Sequence, residues 1–136
     1  MAGCTLRFSV YNLLQHMYVA LRLVGRVASV EQWWGLYTHL ARPAELPPLS
    51  DLHLFKLGIK PMWEDPANVN GGKWVVRLRK SQTGRAWEDL CMAMLGEQFM
   101  VGAELCGVVL SVRFQVCIVF TKPYYTYGRL HCSSWG

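Results

Sequence analysis

The sequence holds no Cys-x-x-Cys pair, no Gly-rich phosphate loop, no nucleophile elbow and no paired catalytic carboxylates. Its five cysteines, Cys4, Cys91, Cys106, Cys117 and Cys132, are odd in number and widely spaced. That argues against a zinc site and against a secreted disulfide framework. The four histidines, His16, His39, His53 and His131, form no triad or ligand spacing. Long clean apolar runs are also missing. Arg7, His16 and Arg22 break the N-terminal stretch and Arg113 breaks the stretch over 107–120, each short of the ~20 residues a membrane span needs. No repeat or low-complexity segment occurs. These absences lead us to expect a chain that is not an enzyme, uses no metal or cofactor and stays off the membrane; the cysteines fit a reducing cytosol or nucleus, with the cytoplasm as the expected location. Acidic residues are few, nine against 14 Lys and Arg, for a net charge of +5. A basic balance favours anionic partners such as nucleic acid.

The chain has 136 residues, 52% of them hydrophobic, enough for one domain with a real core and too apolar for disorder. Six are Trp, whose large, rigid, amphipathic rings are suited to surface work as well as to the core. Three zones differ in character: 1–24 is apolar with few start or stop signals, 25–115 is richly punctuated, and 116–136 is an apolar and aromatic tail without turn logic. In the middle zone, 29–41 reads as a helix capped by Ser29 with Gln32 as its box partner and stopped by Pro43. Trp33, Leu36, Tyr37 and Leu40 share its buried face, and Trp34 lies on the flank, partly exposed. A short strand is expected over 52–55, then an irregular loop to Asn70, with Asn70, Gly71 and Gly72 supplying the positive φ of a tight turn.

Further on, 73–79 alternates as a half-buried strand, Trp74, Val76 and Leu78 inward and Lys73, Val75, Arg77 and Arg79 on a basic face. The stretch 84–95 has the best helical periodicity, through Trp87, Leu90, Cys91, Met94 and Leu95, with Gly96 as its C-terminal cap. A second alternating strand spans 107–114. Mixed strands and helices in this order indicate α+β, an antiparallel sheet packed on one side by helices.

The segment Lys60-Pro-Met-Trp-Glu-Asp-Pro-Ala-Asn68 is not composed like core. A Trp on a stiff loop is a stacking platform for a flat base. A carboxylate beside it accepts two hydrogen bonds from the Watson–Crick edge of guanine, the base that offers two donors side by side. An N7-methylated guanine is cationic, which adds roughly 0.5–2 kcal/mol of cation–π attraction. The plainer reading is a Trp plugging the edge of the core beside a solvated carboxylate, and Arg113, Lys73, Arg77 and Arg79 are equally readable as a solvated face.

The wider sequence resembles the eukaryotic initiation factor 4E family. The resemblance is carried by Val30-Glu-Gln-Trp-Trp-Gly-Leu-Tyr37, Leu54-Phe-Lys-Leu-Gly-Ile-Lys-Pro-Met-Trp-Glu-Asp65, Asn70-Gly-Gly-Lys-Trp74, Leu95-Gly-Glu-Gln-Phe99 and Cys106-Gly-Val-Val-Leu-Ser-Val-Arg113, in order and in spacing over about 90 residues. Details around 28–32 and 94–102 are most similar to the 4E-homologous-protein branch, whose members bind caps and generally repress translation. The resemblance implies a curved antiparallel sheet with helices on its convex face and a slot for the mRNA cap on the concave side. It implies that Trp63 is one stacking aromatic, Glu64 the guanine reader and Arg113 a phosphate contact. It also implies a second surface, formed by Val30, Trp34, Glu88, Met92, Leu95 and Gly96, for partner proteins that carry a Tyr-x-x-x-x-Leu-apolar helix. A monomer is expected.

Both ends depart from the family pattern. Where the second stacking ring belongs, direct register places Met17, and Tyr18 serves only after a one-residue shift that flips a strand side chain. The likeness ends after Gln115. The expected organisation is therefore a divergent segment 1–24, a cap-binding core 25–115 and a divergent tail 116–136, with the sheet incomplete at both ends. Two functions follow: binding of 7-methylguanosine cap in translation initiation or its repression, or a cap-defective fragment that binds partner proteins through the Trp34 surface.

Overall fold

The computed structural model describes residues 5–12, 22–99, 104–112 and 116–121. Six strands form one antiparallel sheet: β1 (Leu6–Asn12), β2 (Arg22–Val27), β3 (Ser50–Lys56), β4 (Gly72–Arg77), β5 (Leu105–Ser111) and β6 (Val116–Thr121), in spatial order β2-β1-β3-β5-β6-β4. Two helices accompany it, α1 (Val30–Tyr37) and α2 (Lys80–Leu95). Among the described residues no helix is long and apolar enough to cross a membrane.

α1 begins as its sequence dictates. The Ser29 hydroxyl accepts the Gln32 N–H, and the Gln32 side chain accepts the Ala28 N–H at 2.8 Å, so two of the orphan donors at the helix start are satisfied. Trp33 and Tyr37 are buried and stacked with centroids 4.9 Å apart, while Trp34 is half-buried. The helix ends at Tyr37 rather than running on to Ala41. Pro43 opens a 3-10 turn (Pro43–Glu45). α2 starts four residues earlier than its apolar periodicity, at Lys80, so Gly84 lies inside it. Gly96 caps it, donating its N–H to the Met92 carbonyl, but at φ −82. The left-handed position is the next residue, Glu97, at φ 51.

The core lies between the helices and one face of the sheet. Trp33 and Tyr37 of α1 and Trp87, Cys91 and Met94 of α2 pack with Leu6, Phe8, Leu52, Leu54, Val108 and Leu110. A register shift between Leu105 and Gly107 in β5 puts Leu105 into the same core as Val108 and turns Cys106 to the opposite face. There Cys106, Phe55 and Val109 form a second, smaller cluster covered by Ile59 and Ala67 of the 57–71 loop. A central strand buried on both faces replaces the one-sided alternation read from the sequence.

Three further expectations are corrected. All six residues of β4 are exposed, Trp74 at 50% and Val76 at 54%. The cause is position: among the described residues β4 is the last strand of the sheet, paired with β6, and the helices pack on β1, β3 and β5 instead. The turn at Asn70, Gly71 and Gly72 uses no positive φ; the glycine that needs one is Gly58, at φ 89, where the chain leaves β3. The 116–121 stretch, which showed no turn logic, is the strand between β5 and β4.

Candidate ligand-stacking loop and helical docking surface

The loop 57–71 links β3 to β4 and is built from the inside out. Asp65 folds back on it: its carboxylate accepts the N–H of Lys60 and of Ala67, both at 2.9 Å. Those two backbone donors hold the Asp65 carboxyl below its usual range. Asn68 is 1% exposed and donates its side-chain amide to the carbonyls of Lys60 and Met62, at 2.9 and 2.8 Å. The backbone N–H groups of Asn68 and Val69 both return to the Asp65 carbonyl. The Ala67 carbonyl meets the Cys106 thiol at 3.6 Å, so the loop is pinned to the central strand beneath it.

Trp63 and Glu64 stand on this frame. Trp63 is 43% exposed, and the Lys73 ammonium of β4 lies 5.3 Å from its ring centroid. Glu64 is exposed and makes no hydrogen bond or ion pair among the described residues. A ring presented to solvent by a tied-down loop, beside an unengaged carboxylate, is equipped to stack a flat cation and accept its hydrogen bonds. Of the other expected cap residues, Tyr18 and Arg113 lie outside the described residues.

Sequence reasoning missed Asp65, Asn68 and Lys73 as parts of this site. The one available signal was Asp before Pro, which favours a side-chain-to-backbone turn. Replacing Asn68 by Ala leaves two carbonyls without their donor and is expected to cost about 1–3 kcal/mol. Urea denaturation measures the loss, and faster amide exchange confined to 60–71 checks that it is local. Unchanged exchange there refutes the scaffold role.

On the other side of the sheet, Trp34, Met92 and Leu95 pack partly buried against the main core, and Val30 is 40% exposed. Glu88 is not idle: Arg42 pairs with it at 2.9 Å, with side chains 43% and 30% exposed, while the Arg42 guanidinium sits 4.5 Å from the Tyr37 ring centroid. Arg42 thus ties α2 to the end of α1, across 46 residues of sequence, a link no local pattern announces. Gly96 is exposed at the end of α2.

An open antiparallel sheet with helices on one face and an aromatic–carboxylate loop on the other is the architecture of this chain. Residues 12–121 match the family model for eukaryotic initiation factor 4E, and this chain belongs to that family. The match extends six residues beyond Gln115 and takes in β6. Among curated relatives, eukaryotic translation initiation factor 4E-4 of Caenorhabditis elegans is 54% identical over 96 residues, covering 71% of this chain and 45% of that protein. Eukaryotic translation initiation factor NCBP of Oryza sativa subsp. japonica is 55% identical over 87 residues, covering 64% and 38%. The chain therefore spans about half, or less, of the relatives it matches. The fold is similar to that of C. elegans eIF4E-3 solved with the 4E-binding protein Mextli and cap analog, with TM-score 0.81 and 35% identity over 88% of this chain and 72% of that one. It is also similar to that of Ascaris suum eIF4E-3 solved with m7G cap, with TM-score 0.82, 34% identity and coverages of 90% and 73%.

Proposed function

We propose that this chain binds the 7-methylguanosine cap at the 5′ end of mRNA, without catalysis, as a cytoplasmic monomer acting in translation initiation or, in the manner of the 4E-homologous-protein branch, its repression. The observation that carries this reading is the pinned 57–71 loop with Trp63 and Glu64 at its crest. Lys73 against the Trp63 ring supports it, since the ring already engages a cation. Trp63 stacks the methylated base, Glu64 accepts from its Watson–Crick edge, Tyr18 supplies the second ring and Arg113 meets phosphate. Solved neighbours that hold cap support the assignment.

Partner proteins with a Tyr-x-x-x-x-Leu-apolar helix are assigned to Val30, Trp34, Glu88, Met92, Leu95 and Gly96, in line with the neighbour solved with a 4E-binding protein. The second reading, a cap-defective fragment that engages partners alone, draws on one observation. β4 is a bare sheet edge with Trp74, Val75 and Val76 exposed, whereas the α1 and α2 surface rests on a filled core.

The two separate in one titration. Quenching of Trp fluorescence by 7-methyl-GTP is expected to exceed that by GTP. Glu64→Gln is expected to erase most of the preference for guanine. Trp63→Ala forfeits about 1–3 kcal/mol of stacking, or roughly ten- to hundredfold in affinity. Equal quenching by both nucleotides, together with retained binding of a Tyr-x-x-x-x-Leu-apolar peptide, selects the second reading.

A further inference from the structure

A cleft of about 270 Å³ opens between the segment after α1 and the start of α2, lined by none of the residues assigned to the two surfaces above. Pro43, Ala44, Leu46 and Pro48 form one wall, Thr83 the other, and Val112 the floor, with Lys80 at the rim. Its walls are fixed. The Glu45 carboxylate turns back to accept the Arg42 N–H at 3.0 Å. The Ser50 hydroxyl donates to the Pro47 carbonyl at 2.7 Å, and the Val112 N–H donates to the Ser50 carbonyl at 3.0 Å. The Thr83 hydroxyl donates to the Arg79 carbonyl. A preformed cleft does not charge its ligand for ordering the walls. A cavity of about 150 Å³ lined by apolar side chains already accepts benzene, so this one takes an aromatic or branched aliphatic side chain with room to spare.

The mouth is cationic. No acidic side chain lines the cleft. The first turn of α2 contains no acidic residue, and its N-cap residue Arg79 makes no side-chain capping bond. Lys80, the exposed first residue of this 16-residue helix, lines the cleft, so the positive end of the helix lies beside it. Lys80 has no ion pair among the described residues.

We propose that this cleft is a docking site for an acidic peptide segment of a partner protein, one that inserts an apolar side chain between the proline wall and Val112 and sets a neighbouring carboxylate against Lys80 and the α2 amides. Apolar walls alone would admit any greasy side chain. The charge at the rim is what selects the carboxylate, and it also repels segments as basic as this chain. The site is independent of the Trp63 loop, so it stands or falls without the cap assignment.

The test is a titration of the full chain followed by ¹H–¹⁵N NMR, with the capped tripeptide Asp-Phe-Asp as probe. Lys-Phe-Lys reverses its charge, and Asp-Ala-Asp removes its anchor. Saturable shifts at Lys80, Ser81, Thr83 and Val112 are expected with Asp-Phe-Asp, with affinity at least tenfold weaker for each control. Lys80→Glu supplies the independent readout. An acid in the first turn suits a helix, so thermal stability holds or rises while peptide affinity falls at least tenfold. A purely structural Lys80 would move the two together. Equal binding of all three peptides, unchanged affinity in Lys80→Glu, or the same shifts from inorganic phosphate at equal concentration overturns the proposal.

Discussion

Gly107→Ala is expected to destabilise the chain by about 3 kcal/mol, near the upper end of typical overpacking costs, and to weaken cap binding with it. Gly107 pairs directly with Phe55 across β3 and β5. A Cβ at Gly107 would lie 2.3 to 2.6 Å from three carbons of the Phe55 ring, a distance no contact sustains. The ring is 1% exposed and wedged between β5 and Ile59 and Ala67 of the loop, so it moves only by lifting the floor under Trp63 and Glu64. Interiors this dense transmit strain rather than absorb it. Gly25→Ala is the internal control. Its Cβ would meet only the end of the Leu36 side chain, at 3.0 Å, two strands across the sheet from β3, and the cost is expected to stay below about 1 kcal/mol for so flexible a neighbour. Denaturant midpoints give both numbers. Combining Gly107→Ala with Phe55→Ala removes the clash, so the pair is expected to cost less than the sum of the singles. Strict additivity, or an unperturbed Gly107→Ala midpoint, refutes the packing argument.

What the sequence made legible was local. The Ser29 cap, the inward face of Trp33 and Tyr37 and the half-exposed flank of Trp34 all follow from spacing within about four residues, and the structure reproduces them. Trp63 and Glu64 stood out for the same reason, an aromatic and a carboxylate between two prolines. What stayed hidden was set by distant pairing. β6 shows little periodicity because its partners define it, and β1, although it alternates through Leu6, Phe8 and Val10 against Arg7 and Ser9, has no start or stop signal to set it off. β4 alternates like a half-buried strand, yet only its neighbours decide whether anything covers its faces, and at the edge nothing among the described residues does. The frame of the loop was hidden differently. Asp65 and Asn68 are polar residues in a polar segment, and composition does not distinguish a carboxylate that accepts two backbone N–H groups of its loop from one that is merely solvated. Arg42 and Glu88, like the second cluster around Phe55, required the folded chain to bring them together.

His53 follows from that second layer, and it makes stability depend on pH. Alternation along β3 turns Leu52 and Leu54 to the helices and His53 to the loop side with Phe55, whose ring lies 6.4 Å away. Both ring nitrogens are sealed from solvent and have no hydrogen-bond partner among the described residues. Burial pushes the imidazole pKa down from 6.5 to about 4, against the opposing pull of Asp51. Arg7 on β1 pairs with Phe55, two register positions along from the Ser9–His53 match. A histidine whose pKa is lowered by folding binds its proton more readily in the unfolded chain. Its contribution is therefore complete above pH 6.5 and is lost as pH falls from 6.5 towards 4, by up to about 3 kcal/mol at the lower limit. The Asp65 and Glu31 carboxyls, which folding lowers from 3.8 and 4.5, add their own losses chiefly below those values, so among the described residues the window between pH 6.5 and 4.5 is dominated by the imidazole. Urea midpoints taken across that window at constant ionic strength are expected to drop steadily in the parent chain. His53→Leu keeps an apolar side chain of similar reach and has nothing to protonate, so its midpoints are expected to stay nearly level, and to exceed those of the parent at the acid end. A parent chain whose midpoint does not move over those two pH units would show that the imidazole is solvated, and that the layer formed by the loop is open where the structure closes it.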